Sequence, residues 1–381
     1  MKKILFVSPR NPFSGRYSGD VVRANKFVNF LSRNNYVKVI SPDFKNSTFK
    51  KSKISYEGFK DTNFITKIYY VFLSLIDLKP LQLGYFYSPK IHEHVKRYYK
   101  DYDLIFFQSF RTAQYKPGNI AVSNILDMGD ITSNNYNQTS KRIFFFNPLR
   151  IIYFIESILL KKYEDFCFLN FQKILLFSKK EINSVKKEFK KKIIQISFGI
   201  ESIKRKYKFS LKNNKIVFIG NIKYSPNKNA CYEFVNKILP KILKIYPNIE
   251  FHIIGEISKI DKFFLNLRTN VKTHGKVDNL EPYLNKTICG LANLKISSGI
   301  QTKLLTYMSY GIPSVCSHQV AKNFDAIEKS KIDYYKNNEE LIKIILKLKR
   351  NKNYSLLASK RSLKTIQNFK WAKILRVFDN F

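Results

Sequence analysis

Acidic residues are scarce in this chain. It has 381 residues, with 28 Asp and Glu against 68 Lys and Arg, a formal charge of +40 with His neutral. Cysteine is scarcer still. Cys167, Cys231, Cys289 and Cys316 lie far apart with no CxxC pair, which excludes a disulfide scaffold and a zinc ribbon and suits a reducing compartment. Long apolar runs are missing. Residues 68–76 are too short to span a membrane, and 143–160 are interrupted by Asn147, Pro148, Arg150 and Glu156; a spanning helix takes about 20 apolar residues. Residues 4–7 are too short for the apolar region of a signal peptide, because polar and loop-forming residues begin at Ser8, so a first buried strand and a cytoplasmic setting are expected. Gly-x-Ser-x-Gly, P-loop and complete dinucleotide fingerprints are also lacking.

What is present suffices for a core. Hydrophobic residues make up 44% and aromatics 15%, which excludes a disordered chain. The basic excess is spread along the whole sequence, and Lys, Asn, Ile, Phe and Tyr are all abundant. That is the usage of A/T-rich codons, with solvated faces defaulting to Lys. No zinc finger, helix-turn-helix or aromatic-interleaved RNA motif accompanies the charge, so no nucleic-acid partner is expected. An anionic membrane surface is a partner that the charge does suit.

Short apolar runs alternate with helical patterns. Strands are expected at 4–7, 37–40, 104–107, 120–126 and 174–177, and the pattern restarts at 215–220. A helix over 229–246 follows, with Ala230, Phe234, Ile238 and Ile242 on one face, then strands at 249–254, 271–273, 289–292 and 313–316. This rhythm predicts an α/β chain of two doubly wound units. Ligands of such sheets bind at the carboxyl ends of the strands, and with two sheets the natural site is the cleft between them. Two aromatic stretches, 68–73 and 144–154, are flanked by Lys and Arg. They read either as helices packed on the sheet or as an interfacial face on a membrane.

The segment 294–313 places a small loop, Ser297-Ser298-Gly299-Ile300-Gln301, between a strand and a helix, with Lys303 one turn in and Gly311-Ile312-Pro313 closing it. Unpaired N–H groups at such a helix start bind phosphate oxygens, helped by the helix dipole. The bland alternative is a helix start that binds nothing. Gly299-Ile300-Gln301-x-Lys303-x-Leu305 through Met308 and Gly311-x-Pro313 resembles the donor-site signature of family-4-like glycosyltransferases, in the branch reading GiQNKvLEAMA. Phe218-Ile219-Gly220-Asn221-x-x-Tyr224-x-Pro226-Asn227 resembles that branch's start of the second domain. Gly275-x-Val277-x-Asn279-Leu280 resembles its loop beside the nucleotide base, and Phe369-Lys370-Trp371 its last helix. In the first half, Asp127-x-x-Asp130-x-x-Ser133 and Tyr163-Glu164 resemble weaker motifs of the same branch.

The resemblance implies the GT-B fold, two Rossmann-like domains facing a central cleft. They are expected as an acceptor-side domain at 1–203 and a donor domain at 204–353, with a helix at 354–381 crossing back to the first domain. It implies a nucleotide-sugar donor, a glycan or lipid-linked acceptor, retention, and neither cofactor nor metal. Gly220, Asn221, Lys223, Gly275, Val277, Ser298, Gly299, Ile300, Gln301, Lys303 and Thr306 are then the donor-binding candidates. A basic residue against the diphosphate is either Lys223 or Lys228, with Lys228 favoured and a solvated surface role open for each. Gly15, Gly19, Asp20 and Arg23 form the acceptor-side loop, where Asp20 is alternatively an N-cap. Asp127 and Asp130 bind acceptor hydroxyls or act as base, or are loop carboxylates.

Most relatives carry Glu where this chain has Thr306, and many carry another where it has Ser298. A hydroxyl lacks the paired charged acceptors that grip vicinal hydroxyls. The rival readings are therefore a catalytically impaired relative that scaffolds a polysaccharide assembly complex, a sugar epimerase of the same fold, and a basic nucleic-acid binder. Three other patterns carry no metal expectation. Asp101-Tyr102-Asp103 enters a buried strand, His92 and His94 do not share a helix face, and His252 and His274 show no partner at metal spacing.

Overall fold

A computed structural model describes the chain except residues 16–17, 119–120, 142, 145, 202, 204–206, 298, 330 and 381. The chain divides into two compact units, Met1–Ser197 with Leu375–Phe381, and Phe198–Ile374.

In the first unit the strands are β1 (Lys3–Val7), β2 (Tyr36–Pro42), β3 (Thr48–Lys51), β4 (Ile54–Phe59), β5 (Leu104–Gln108), β6 (Ser123–Gly129), β7 (Lys173–Leu176) and β8 (Ile193–Gln195). They form one sheet in the order β3-β4-β2-β1-β5-β6-β7-β8. All neighbours are parallel except β3, which runs antiparallel to β4. Ile4 to Val7 and Ile105 to Phe107 are buried, as central strands covered on both faces require. Phe378, from the chain's end, packs on Phe27 with ring centroids 5.0 Å apart.

Two features of this sheet differ from expectation. The hairpin β3–β4 has no continuous apolar run; β3 is exposed along its length, and its Lys50 and Lys51 suit an edge that must not recruit another strand. The strand expected at 120–126 lies at Ser123–Gly129 instead. It runs past Asp127 because that carboxylate is buried against Arg23, a partner that sequence distance hides.

The second unit restarts the pattern with β9 (Lys215–Ile219), β10 (Glu250–Ile254), β11 (Val271–Gly275), β12 (Thr287–Ala292), β13 (Ser314–Ser317) and β14 (Asp333–Tyr335). The order is β11-β10-β9-β12-β13-β14, all parallel. The helix expected over 229–246 is divided into Ser225–Glu233, a π-turn at Phe234–Ile238 and Leu239–Leu243. Pro240 has no N–H for the carbonyl four residues back, and its ring crowds that carbonyl, so the ladder widens just before it. Likewise the last helix does not run unbroken from 354. Lys352–Ile366 ends in a 3₁₀ turn, Gln367–Phe369, after which Lys370 is extended and pairs with Ile200. All four cysteines are buried and free.

Candidate functional site

The carboxyl ends of β9, β10 and β11 are drawn together by three glycines. Gly220 donates its N–H to the Ile254 carbonyl at 2.9 Å, and Gly255 donates to the Gly275 carbonyl at 2.7 Å. A Cβ on Gly255, at φ +139°, would fall 1.9 Å from the Gly220 carbonyl oxygen, so only glycine permits this approach. A Cβ on Gly220 itself would meet Asn227 at 3.0 Å and the Lys303 Nζ at 3.3 Å. The absent side chain therefore leaves a space faced by an amide and an ammonium group.

Lys303 lies in the helix Thr302–Ser309 and is 6% exposed. Its Nζ donates to Asn227 Oδ1 at 2.7 Å and sits 3.9 Å from the centre of the Phe218 ring. Among the described residues no carboxylate pairs with it. Burial lowers its pKa to about 7, only partly opposed by the nearby Cys231 thiol. Asn227 is fixed in turn, donating Nδ2 to the Asn221 carbonyl at 2.8 Å. A buried lysine amine with donors to spare, beside a side-chain-free strand end and a helix start, has chemistry that suits an anion.

Tyr307 holds this arrangement from behind. Its hydroxyl accepts from the Ile219 N–H at 2.7 Å and donates to the Leu291 carbonyl at 3.2 Å, tying β9 to β12. Its ring lies on Gly290, where a Cβ would fall 2.1 Å from the ring. Tyr307 was not named as a site candidate from the sequence, and Asn227 only as part of a resembled motif. Their signal is positional: the first sits four residues after Lys303, one turn further along the same helix face, and the second seven after Gly220.

The other expected donor residues fall as follows. Gly299 has φ +59°. Gln301 donates Nε2 to Ser297 Oγ at 3.0 Å, and Asn323 donates to the same oxygen at 3.0 Å. Ile300 packs half-buried on the core of the unit, as does Val277. Ser298 lies outside the described residues. Thr306 donates its hydroxyl to the Thr302 carbonyl at 3.0 Å, within its own helix. The two candidate cations for the diphosphate, Lys223 and the favoured Lys228, each meet a carboxylate. Lys223 pairs with Glu256 at 2.7 Å and Lys228 with Asp261 at 2.7 Å. Asn221 donates Nδ2 to that same Glu256 at 3.2 Å. The cation beside Gly220 is Lys303, while Lys228 is half-exposed and paired with a carboxylate.

In the first unit Arg23 and Asp127 are consumed by each other. Arg23 Nε donates to Asp127 Oδ2 at 2.7 Å and Nη2 to Oδ1 at 2.9 Å, with both side chains buried. Arg23 also donates to the Ser197 and Ile196 carbonyls and lies between the Phe27 and Phe177 rings. A carboxylate so held is not placed to take an acceptor proton. Asp127, named as a catalytic candidate, and Arg23, named for the acceptor-side loop, are thus each other's buried partners in this structure. Asp130 is half-buried just after Gly129. The helix Gly19–Leu31 has Ser18, not Asp20, at its N-cap. Asp20 instead accepts from Arg10 at 2.6 Å, and its carbonyl accepts from Gln108 at 2.7 Å. Gly15 has φ +67°.

A third polar cluster joins β10 to β11. His252 shares a hydrogen bond with His274 at 2.8 Å and another with Glu250 at 3.0 Å. Glu250 is two residues from His252, on the same face of the strand. Among the described residues no group of three or more His, Cys, Asp or Glu is arranged to hold a metal ion.

Both units are Rossmann-like, and the chain has the GT-B fold. It superposes over 100% of its length on sucrose-phosphate synthase from Thermosynechococcus elongatus, with TM-score 0.73, 12% identity and 98% of that chain covered. Over 100% of its length it also matches Anabaena Alr3699/HepE, solved with UDP and glucose, with TM-score 0.66, 13% identity and 99% coverage of that chain. A third likeness is α,α-trehalose 6-phosphate synthase from Burkholderia multivorans, with TM-score 0.67, 8% identity and 100% and 98% coverage of the two chains. No curated protein matches the sequence. Residues 213–351, which hold Gly220, Asn227 and Lys303, match the family described as glycosyl transferases group 1.

Proposed function

We propose that this chain is a glycosyltransferase of the group 1 kind, moving a sugar from a nucleotide-activated donor to a glycan or lipid-linked acceptor. The observation that carries the reading is Lys303, a buried cation with no carboxylate partner among the described residues, beside Gly220 at a helix start. An ammonium group in that position suits a diphosphate. As the glycosidic bond breaks, charge grows on the leaving nucleoside diphosphate, and a fixed ammonium there lowers the barrier. The sugar becomes oxocarbenium-like, and the acceptor hydroxyl attacks on the leaving-group face, passing its proton to the departing phosphate. Transfer proceeds with retention and without metal. That the similar Anabaena protein was solved with UDP-glucose supports a nucleotide-sugar donor. The setting is cell-surface polysaccharide or lipopolysaccharide assembly, at the inner face of the cytoplasmic membrane.

A thermal-shift titration with UDP, GDP, ADP, CMP and their sugar conjugates tests the reading, because a ligand that binds the native state raises the melting temperature by mass action. A selective shift with one nucleotide, lost in Lys303→Met, is expected. No shift at millimolar ligand would overturn it. One observation favours a second reading, a non-catalytic partner in an assembly complex: Thr306 turns its only hydroxyl proton back into its own helix, where relatives present a carboxylate.

A further inference from the structure

The helix Phe64–Ile76 has its amphipathicity reversed. Its exposed positions are Phe64, Ile65, Ile68, Tyr69, Phe72, Leu75 and Ile76. At 100° per residue they fall within an arc of about 140°, and every one is apolar or aromatic. Ile65 is 78% exposed and Phe72 58%. The opposite side, with Tyr70, Val71 and Ser74, faces the protein. There the short helix Leu81–Tyr85 packs so closely that a Cβ on Gly84 would fall 2.2 Å from the Tyr70 carbonyl oxygen.

A second apolar surface lies beside it. In the helix Leu149–Asn170, Ile151, Ile152, Phe154, Ile155 and Ile158 are exposed, as are Phe144 and Phe146 just before it. The two are joined through Glu156, which accepts from the Leu81 N–H at 2.8 Å and the Gln82 N–H at 3.3 Å. Residues 141–162 contain Lys141, Arg142, Arg150, Lys161 and Lys162, and Glu156 is their one acidic residue. That carboxylate is buried, so the face offers apolar side chains among basic ones.

Charge decides what covers such a face. A second copy of a +40 chain is repelled, and an anionic surface is attracted. The Phe64–Ile76 helix is also about 20 Å long at 1.5 Å per residue, too short to cross a bilayer and long enough to lie in its interface. No described helix is long and apolar enough to cross a membrane.

We propose that the exposed face of Phe64–Ile76 and the first half of Leu149–Asn170 seat this chain on an anionic lipid bilayer. The aromatic and branched side chains enter the acyl boundary, and the exposed Lys141 and Lys162 meet the lipid phosphates. The inference deepens the lipid-side part of the reading above and rests on it only for the identity of the acceptor; lipid binding is measured without donor or turnover, so either can fail alone.

The test is flotation of the full chain with vesicles of phosphatidylcholine alone and of phosphatidylcholine mixed with phosphatidylglycerol, near 0.1 M salt. Binding to the mixed vesicles is expected, with weak binding to the neutral ones. Ile68→Glu/Phe72→Glu and, separately, Ile152→Glu/Ile155→Glu each lower the partition coefficient about tenfold or more. These positions are exposed, so circular dichroism and melting temperature stay near wild type, and two independent pairs guard against one that misfolds. Failure to float with the mixed vesicles overturns the proposal. So does undiminished flotation of both variants, which would assign binding to the lysines alone. A dimer in sedimentation that Ile68→Glu/Phe72→Glu dissociates would assign the face to a second copy.

Discussion

Arg23 grips Asp127 through two parallel hydrogen bonds, 2.7 and 2.9 Å long, in a site where both side chains are buried. The two residues are far apart in sequence, and the pair locks the helix Gly19–Leu31 to the end of β6. Asp127→Asn therefore tests structure against chemistry. Removing one partner of a buried pair costs about 3–5 kcal/mol. A lowered melting temperature in the absence of any ligand is the expected outcome. Loss of transfer activity with unchanged melting would instead restore Asp127 to catalysis.

Lys303 carries a pH dependence of stability. Its folded pKa is lowered to about 7 from the ordinary lysine value of 10.5. Between those values the unfolded chain binds more protons than the folded one, so stability rises with pH across the window. Below pH 7 the full cost of the buried charge is felt. Lys303→Met removes it, so the substitution is expected to be more favourable to stability at pH 6 than at pH 9. Melting curves at the two pH values check this. The same substitution abolishes the nucleotide-induced shift.

The charge state of Lys303 also sets donor affinity. A diphosphate binds the ammonium form, so UDP-glucose, whose diphosphate does not titrate near neutrality, binds most tightly below pH 7. Its affinity falls above that by up to about tenfold per pH unit. Calorimetry in two buffers of different ionisation enthalpy should show proton uptake on binding at pH 8.

Tyr307→Phe leaves the Ile219 N–H without its acceptor and frees the Leu291 carbonyl. An unsatisfied buried donor costs about 1–3 kcal/mol. The melting temperature is expected to fall accordingly, and the nucleotide-induced shift to weaken with it, because Gly220 directly follows β9. Denaturant titration measures the first effect and ligand titration the second.

Thr306→Glu introduces the carboxylate that the resembled donor-site signature has at this position. A charge-assisted hydrogen bond is worth about 1.5–3 kcal/mol, one to two decades in affinity. A gain of that size for UDP-sugars over UDP is the expected result in a ligand titration. If Thr306→Glu gains nothing while wild type also fails to turn over donor, the scaffold reading takes precedence.

Much of the architecture was legible because parallel central strands are apolar on both faces, and runs such as 4–7, 104–107 and 215–220 stand out against a lysine-rich background. The β3–β4 hairpin was not, since an exposed edge has no apolar signature. Nor was the true end of β6, since Asp127 reads as a loop carboxylate until Arg23 is placed beside it. The same limit applies to the site. The resemblance to a donor-site signature named Gly220, Gly299 and Lys303 as candidates, but no spacing rule shows which of Lys223, Lys228 and Lys303 finds a carboxylate. Glu256 and Asp261, which claim the first two, come from beyond the next strand. Pro240 was visible in the sequence, and its effect on the helix follows from elementary backbone chemistry; the apolar periodicity around it masked the break.

The burial of all four thiols makes the chain its own folding gauge. Burial pushes Cys167, Cys231, Cys289 and Cys316 well above the ordinary thiol pKa, so a thiolate reagent meets no reactive sulfur until the structure opens. Cys167 belongs to the first unit and the other three to the second. The labelling rate at the first sulfur therefore times the opening of one unit, and the rate at the other three times that of its neighbour, with no introduced probe.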